Sequence, residues 1–312
     1  MIPILVIEGA TASGKSNLAI KLAEALKTEI ISADSRQVYK YMDIGTAKVS
    51  AEQRKQIPHH LIDIITPDEV FNAGEFTKCA AAKIRELHTR EMIPIICGGT
   101  GLYVRSLLDG LCKLPEISSQ IRDSLKEQSA SVGLEAMYSQ LMALDPEYAA
   151  KISSKDSQRI LRGLEVALGT GIPISRHWQN QTKGSTYLVY RILIDLPREI
   201  LYKRINSRLH EMLSEGLIEE IKHLFMMGYN ELSPGLNSLG YKEYIPYLQG
   251  HSSIEESTVL AAQHHRNYAK RQATWYRKCK YDLTLMDSQV KISEVVNRIE
   301  IALTGDNNAN RS

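Results

Sequence analysis

Gly9-Ala10-Thr11-Ala12-Ser13-Gly14-Lys15-Ser16, close to the start of the chain, reads as the G-x-x-x-x-G-K-[ST] phosphate loop. Its surroundings make the match specific. Ile4-Leu5-Val6-Ile7, apolar and mostly β-branched, precedes it as a strand, and Leu18, Ala19, Leu22, Ala23 and Leu26 follow at helical spacing. In such a turn the glycines let successive N–H groups point inward, and the helix N-terminus adds partial positive charge. Lys15 is expected to meet the outer phosphate oxygens, with the Ser16 hydroxyl in a Mg²⁺ shell. The stretch implies a bound di- or triphosphate and leaves open which molecule carries it.

Strand and helix signals alternate outward from the loop through the first third of the chain, which argues for a parallel sheet covered on both faces. Strands are expected at Ile4–Ile7, Glu29–Ser32, Leu61–Ile65 and Ile93–Cys97, with a helix over Ala73–Arg90. The last of these strands runs into Gly98-Gly99-Thr100-Gly101-Leu102-Tyr103, a second glycine-rich turn. Ligands of doubly wound sheets sit at the carboxyl ends of strands, so both turns should face one crevice. From Leu114 to Thr186 the strand signals vanish, and helical patterns appear at Ile121–Gln128, Leu134–Leu144 and Gln158–Ala167. Tyr187–Asp195 returns as a strand. After Pro197 the pattern is helical to near Met227, broken at Gly228, and helical again over Ser257–Lys280. The fold class expected is α/β: a P-loop NTPase-like parallel-sheet core, 1–113 and 187–304, with a mostly helical insertion at 114–186 and a flexible polar tail at 305–312.

Composition sets limits on function. The 312 residues are 43% hydrophobic and 24% charged, as in ordinary globular proteins, and the net charge is only +2. A polyanionic partner must therefore be met by a local basic patch. Cys79, Cys97, Cys112 and Cys279 form no C-x-x-C pair and no zinc spacing with histidine, which points to reduced thiols in a cytoplasmic protein. Neither a signal peptide nor a membrane span is expected.

Several residues carry candidate chemistry. Asp34 directly follows the second strand, placed to accept a proton, to help hold Mg²⁺, or simply to cap the next element. Arg204 and Arg208, four apart, share a helix face, for phosphate contact or for an exposed ion-pair face continued by Glu211 and Glu215. Between Ser257 and Tyr281 stand Arg266, Lys270, Arg271, Arg277, Lys278 and Lys280, with no Asp or Glu, interleaved with Tyr268, Trp275 and Tyr276. That pattern suits a nucleic-acid backbone with splayed bases, or a solvated basic face over buried aromatics. Gln158-Arg159-Ile160-Leu161-Arg162 puts two further arginines in the helical insertion.

Taken together the motifs resemble the tRNA dimethylallyltransferase (tRNA isopentenyltransferase) family in its bacterial form. The resemblance covers most of the chain: the phosphate loop, Asp34-Ser35-Arg36-Gln37-Val38-Tyr39, Met42–Lys48, Pro58–Asp63, Gly98–Tyr103, Gln158–Arg162, Arg208 with Met212 and Gly216-Leu217, Leu239–Glu243, and Lys270-Arg271-Gln272 with Trp275. Ala10 departs from the family's usual proline, and the zinc-finger extension of eukaryotic relatives is absent. The resemblance implies transfer of a dimethylallyl group from dimethylallyl diphosphate to N6 of adenosine 37, with Mg²⁺ as cofactor and the tRNA anticodon stem-loop as partner. It implies a monomer that uses Asp34, Thr100 and Arg208 in catalysis and residues Gly9 to Ser16 on the diphosphate. tRNA contacts are implied for Asp34, Ser35, Arg36, Gln37, Thr100, Arg122, Gln158, Arg159, Ile160, Leu161, Arg162, Lys270 and Arg271. ATP is expected to be neither required nor consumed. The rival readings are a P-loop small-molecule kinase, a nucleotide-dependent RNA-binding switch, and an isopentenyltransferase for free adenine nucleotides.

Overall fold

Along the first strand, β1 (Ile2–Gly9), Leu5 and Ile7 join one buried cluster while Ile4 and Val6 join another, and all four are fully buried. A strand apolar on both faces belongs inside a sheet. The other strands are β2 (Ile30–Ser32), β3 (His59–His60), β4 (Ile95–Gly98), β5 (Tyr187–Ile194) and β6 (Leu283–Leu285). In the computed structural model, which describes residues 1–112, 114–115, 117–179, 186–287 and 290–305, they form one parallel sheet in the order β3-β2-β4-β1-β5-β6. This is the α/β, P-loop NTPase-like core that the alternating pattern predicts.

Helices cover both faces. α1 (Lys15–Ala25) supplies Leu18 and Leu22 to the face holding Leu5 and Ile7. α2 (Ala51–Gln56) is a short surface helix, and α3 (Ala73–Thr89) and α4 (Gly101–Asp109) cover the opposite face with Phe76, Ile84, Val104 and Leu107. A second compact unit, Gly110–Gly184, contains α5 (Ser119–Val132), α6 (Leu134–Leu144), α7 (Pro146–Ala149), α8 (Ser157–Thr170) and α9 (Ile174–Gln179) around its own core of Leu125, Met137, Leu141 and Leu164. The first unit resumes with α10 (Arg198–Ser214), α11 (Leu217–Met226), α12 (Ile245–Leu248), α13 (Ile254–Tyr276) and α14 (Ile292–Thr304). Among the described residues no helix is long and apolar enough to cross a membrane.

Two expectations are corrected. The strand expected at Leu61–Ile65 lies at His59–His60, because Leu61 and Asp63 take left-handed backbone (φ 63° and 57°), which ends a strand. Only Ile65 keeps a bridge, to Tyr39. The helix expected to run unbroken to Met227 is interrupted before Leu217 by Gly216, at φ 100°. Strand β6, of three residues, and helix α14, of thirteen, are not among the expected elements. Of the expected tail, residues 306–312 lie outside the described residues.

Gly98 leaves no room for a side chain: a Cβ there would stand 2.1 Å from the Ala33 carbonyl oxygen. The obstruction is backbone and cannot rotate away. Gly98→Ala should therefore destabilise the protein by about 3 kcal/mol, the upper range for overpacking. Urea unfolding gives the number, and a loss below about 1 kcal/mol would mean that β2 and β4 can separate without cost.

Candidate active site

Both glycine-rich turns are fastened to a single helix. The side-chain amide of Gln272, on α13, accepts from the Thr11 N–H at 2.8 Å and donates to the Gly99 carbonyl at 2.8 Å. One turn later, the Tyr276 hydroxyl lies 3.1 Å from the carbonyl oxygens of both Gly9 and Gly99. Both side chains are buried, so these bonds are made away from competing water. The indole of Trp275 fills the space beside Gly101, where a Cβ would come within 2.2 Å of its ring nitrogen.

The fastened turns open on a cleft of about 310 Å³ lined by Lys15, Ser16, Asp34, Arg208, Tyr268 and Arg271, among others. Lys15 begins α1 and Arg208 comes from α10, where Nη2 donates to Thr11 Oγ1 at 2.6 Å. Arg204, one turn earlier, reaches the Ser13 carbonyl at 3.4 Å. Burial pushes the Lys15 ammonium below its ordinary range, and the Arg208 charge acts in the same sense while Asp34 opposes it. Arg208 is likewise pushed down by burial. Among the described residues neither cation forms an ion pair. Two partly desolvated positive charges with no carboxylate of their own are costly, and an anion in the cleft relieves that cost.

Asp34 divides its work. Its Oδ1 accepts from the N–H groups of Arg36 (2.8 Å) and Gln37 (3.4 Å), which is the capping role open to it from sequence. No hydrogen bond to Oδ2 is formed among the described residues. Thr100 Oγ1 accepts from the Ser35 N–H at 3.1 Å, and Tyr268 lines the cleft nearby. Burial, with Asp34 nearby, pushes the Tyr268 phenol up to about 12, so it is a neutral donor at working pH. Among the described residues no group of three or more His, Cys, Asp or Glu side chains could hold a metal ion by itself.

A family model described as IPP transferase matches residues 37–279. The chain belongs to the IPP transferase family. The tRNA dimethylallyltransferase of Geobacter sulfurreducens is 42% identical to this family member over 276 residues, 88% of this chain and 89% of that protein. Among solved structures, the full-length tRNA isopentenylpyrophosphate transferase of Bacillus halodurans is 36% identical, covers 98% of each chain and gives a TM-score of 0.72. A eukaryotic dimethylallyltransferase described as acting on tRNA gives 0.82 at 27% identity, over all of this chain and 81% of its own.

In this IPP transferase the structure brings Gly9–Ser16, Asp34, Thr100, Arg208 and Arg271 into one neighbourhood around the cleft. Gln37 is there as well, but its amide is committed to the carbonyls of Thr46 and Ala47 and to the Ser32 hydroxyl. Arg36 and Lys270 are exposed. Within the helical unit, Glu165 takes Arg122 at 2.6 Å and Arg162 at 3.0 Å. Partial burial would raise the Glu165 carboxyl, yet the hydrogen bonds from the two arginines hold it below its usual range. Arg159 pairs loosely with Asp156, and Gln158 is exposed. Ile160 is a correction: it is fully buried in the core of its unit, so it can shape the helix but cannot touch RNA. Leu161 is half-buried beside it. Sequence reading missed Gln272 as the fastener and Tyr276 as its companion, since it took the latter only as one of the aromatics between basic residues.

Gln272→Ala leaves the Thr11 N–H and Gly99 carbonyl unpaired. The expected loss of stability is about 1–3 kcal/mol, accompanied by weaker diphosphate binding, because the loop is no longer held in register. Calorimetric titration with diphosphate alongside urea unfolding reads both, and unchanged affinity would show that the phosphate loop holds its shape unaided.

Proposed function

We propose that this protein transfers a dimethylallyl group from dimethylallyl diphosphate to N6 of adenosine 37 in tRNA, releasing diphosphate. The observation that carries the reading is the pair of half-buried cations, Lys15 and Arg208, which form no ion pair among the described residues and line, with the Asp34 carboxylate, a cleft of an IPP transferase. A new bond forms between N6 and C1 of the dimethylallyl group as the C1–O bond to diphosphate breaks. Negative charge grows on the departing diphosphate, where the loop N–H groups, Lys15 and Arg208 meet it. The proton lost from N6 goes to Asp34 Oδ2, while Oδ1 stays engaged by the backbone and fixes the carboxylate's direction. A base stacked in the anticodon loop must be extruded to reach this cleft.

Mg²⁺ fits the loop: the Ser16 hydroxyl offers a hard oxygen ligand, and this ion commonly takes few protein ligands beside substrate phosphates, which leaves Asp34 free to act as the base. When bound, it neutralises charge on the diphosphate. On the RNA side, we assign phosphate contacts to Arg122, Arg159 and Arg162, whose side chains are 55%, 60% and 41% exposed. Ser35, Arg36 and Arg271 stand at or beside the cleft that receives the base. A tRNA substrate places the reaction in the cytoplasm.

The test is mass spectrometry of anticodon fragments after incubation of unmodified tRNA with the protein, Mg²⁺ and dimethylallyl diphosphate. A dimethylallyl mass added at adenosine 37, without ATP and with one diphosphate released per tRNA, is the expected result. A requirement for ATP with release of ADP, or equal activity on free adenine nucleotides, would favour a kinase or a free-nucleotide prenyltransferase instead.

Asp34→Asn should keep the fold and tRNA affinity and slow the single-turnover rate by about 10²–10⁴, the usual share of a general base. A rate within about threefold of wild type would take proton transfer away from Asp34 and leave it only its capping bonds.

A further inference from the structure

Two adjacent histidines on α13 are treated differently by the fold. His264 is partnered, its Nδ1 lying 2.7 Å from Glu243 Oε1. The same carboxylate accepts from the Gly240 N–H at 2.8 Å and so fixes the turn there. His265 is 7% exposed, and its Nε2 has no hydrogen-bond partner among the described residues. The ring lines the cleft that holds Lys15, Asp34 and Arg208. Gly240, at φ +88°, packs beside the ring, and a Cβ there would stand 3.3 Å from Nε2.

Leaving a ring nitrogen buried without a partner is costly, and proteins rarely tolerate it away from a ligand. Burial first, then the charges of Arg208 and His264, push this ring down to about 4. His265 is therefore neutral at working pH, with one N–H to give and no charge to add to an already positive wall. Its charged neighbour on the cleft side is Arg208, so the group missing from its surroundings is the anion that Arg208 also lacks.

We propose that His265 is a further donor-site residue, hydrogen-bonding through Nε2–H to an oxygen of the diphosphate held by Lys15 and Arg208. The inference rests on the prenyl-transfer reading above and adds a contact that the phosphate-loop motif does not contain.

The test is calorimetric titration of the full-length protein with inorganic diphosphate and Mg²⁺, comparing wild type, Lys15→Ala, His265→Ala and His265→Gln, with thermal midpoints for each. His265→Ala should weaken diphosphate binding by about 10–100-fold, the range for a hydrogen bond to a charged partner. His265→Gln keeps an N–H donor and should recover affinity to within about threefold of wild type. If His265→Ala binds like wild type while Lys15→Ala does not bind, this inference falls and the donor site stands. Equal losses in both His265 variants, with lowered thermal midpoints, would assign His265 to packing and overturn the proposal. Absence of diphosphate binding by the wild type would overturn the prenyl-transfer reading and this inference together.

Discussion

The bidentate grip of Gln272 on Thr11 and Gly99 is the constraint from which the rest of the cleft follows. A primary amide offers an acceptor and a donor side by side on one rigid plane, as the Thr11 N–H and Gly99 carbonyl demand. Glutamate would present two acceptors and leave the carbonyl facing negative charge. The grip brings the ends of β1 and β4 under one helix, so that phosphate loop, second glycine turn and Tyr268 move as one body. It also explains the shape of the second turn. Gly99 must admit the Gln272 amide, whose nitrogen would lie 2.5 Å from any Cβ, and Gly101 must admit the Trp275 indole.

Within the first unit, charge is handled in two contrasting ways. Glu8, fully buried on β1 immediately before the loop, is matched by Arg191 of the neighbouring β5 at 2.5 Å, and Arg191 in turn lies over the Tyr281 ring. That charge is neutralised within the fold. Lys15 and Arg208, half-buried at the cleft, form no such ion pair among the described residues, and the difference marks where the protein expects its counter-charge to arrive from outside. Arginine at a buried pair and lysine at the loop also suit their tasks: a fork holds fixed geometry, whereas a single ammonium follows a moving phosphate.

Much of this was legible in the sequence. The phosphate loop stands between an apolar run and a helical stripe, and local pattern alone places all three. Asp34 and the second glycine turn follow the same logic, since strand ends of a parallel sheet share one edge. What escaped is what depends on contacts between residues far apart. Gln272 and Tyr276 sit in a run dominated by basic and aromatic residues, and their partners are backbone groups more than a hundred and seventy residues away. The β3 shift escaped because Leu61-Ile62-Asp63-Ile64-Ile65 has strand composition, while two of its residues adopt left-handed backbone that Lys48, paired with Asp63 and Asp43, helps to hold. Ile160 was misjudged for a simpler reason: a motif is quoted as a block, but a helix turns every residue to its own direction.

The pairing of β1 with β5, residue for residue from Ile2–Tyr187 to Gly9–Ile194, has a consequence for how the chain is born. β1 is the first strand made, and its β4 neighbour follows within the first third of synthesis. Its other edge stays open until the whole Gly110–Gly184 unit has been translated. During that interval the ribosome carries an apolar strand with unpaired backbone, the condition that favours wrong partners. The helical unit, made of contacts between near neighbours, can form while the sheet waits, because local contacts close faster than the distant pairing of β1 with β5.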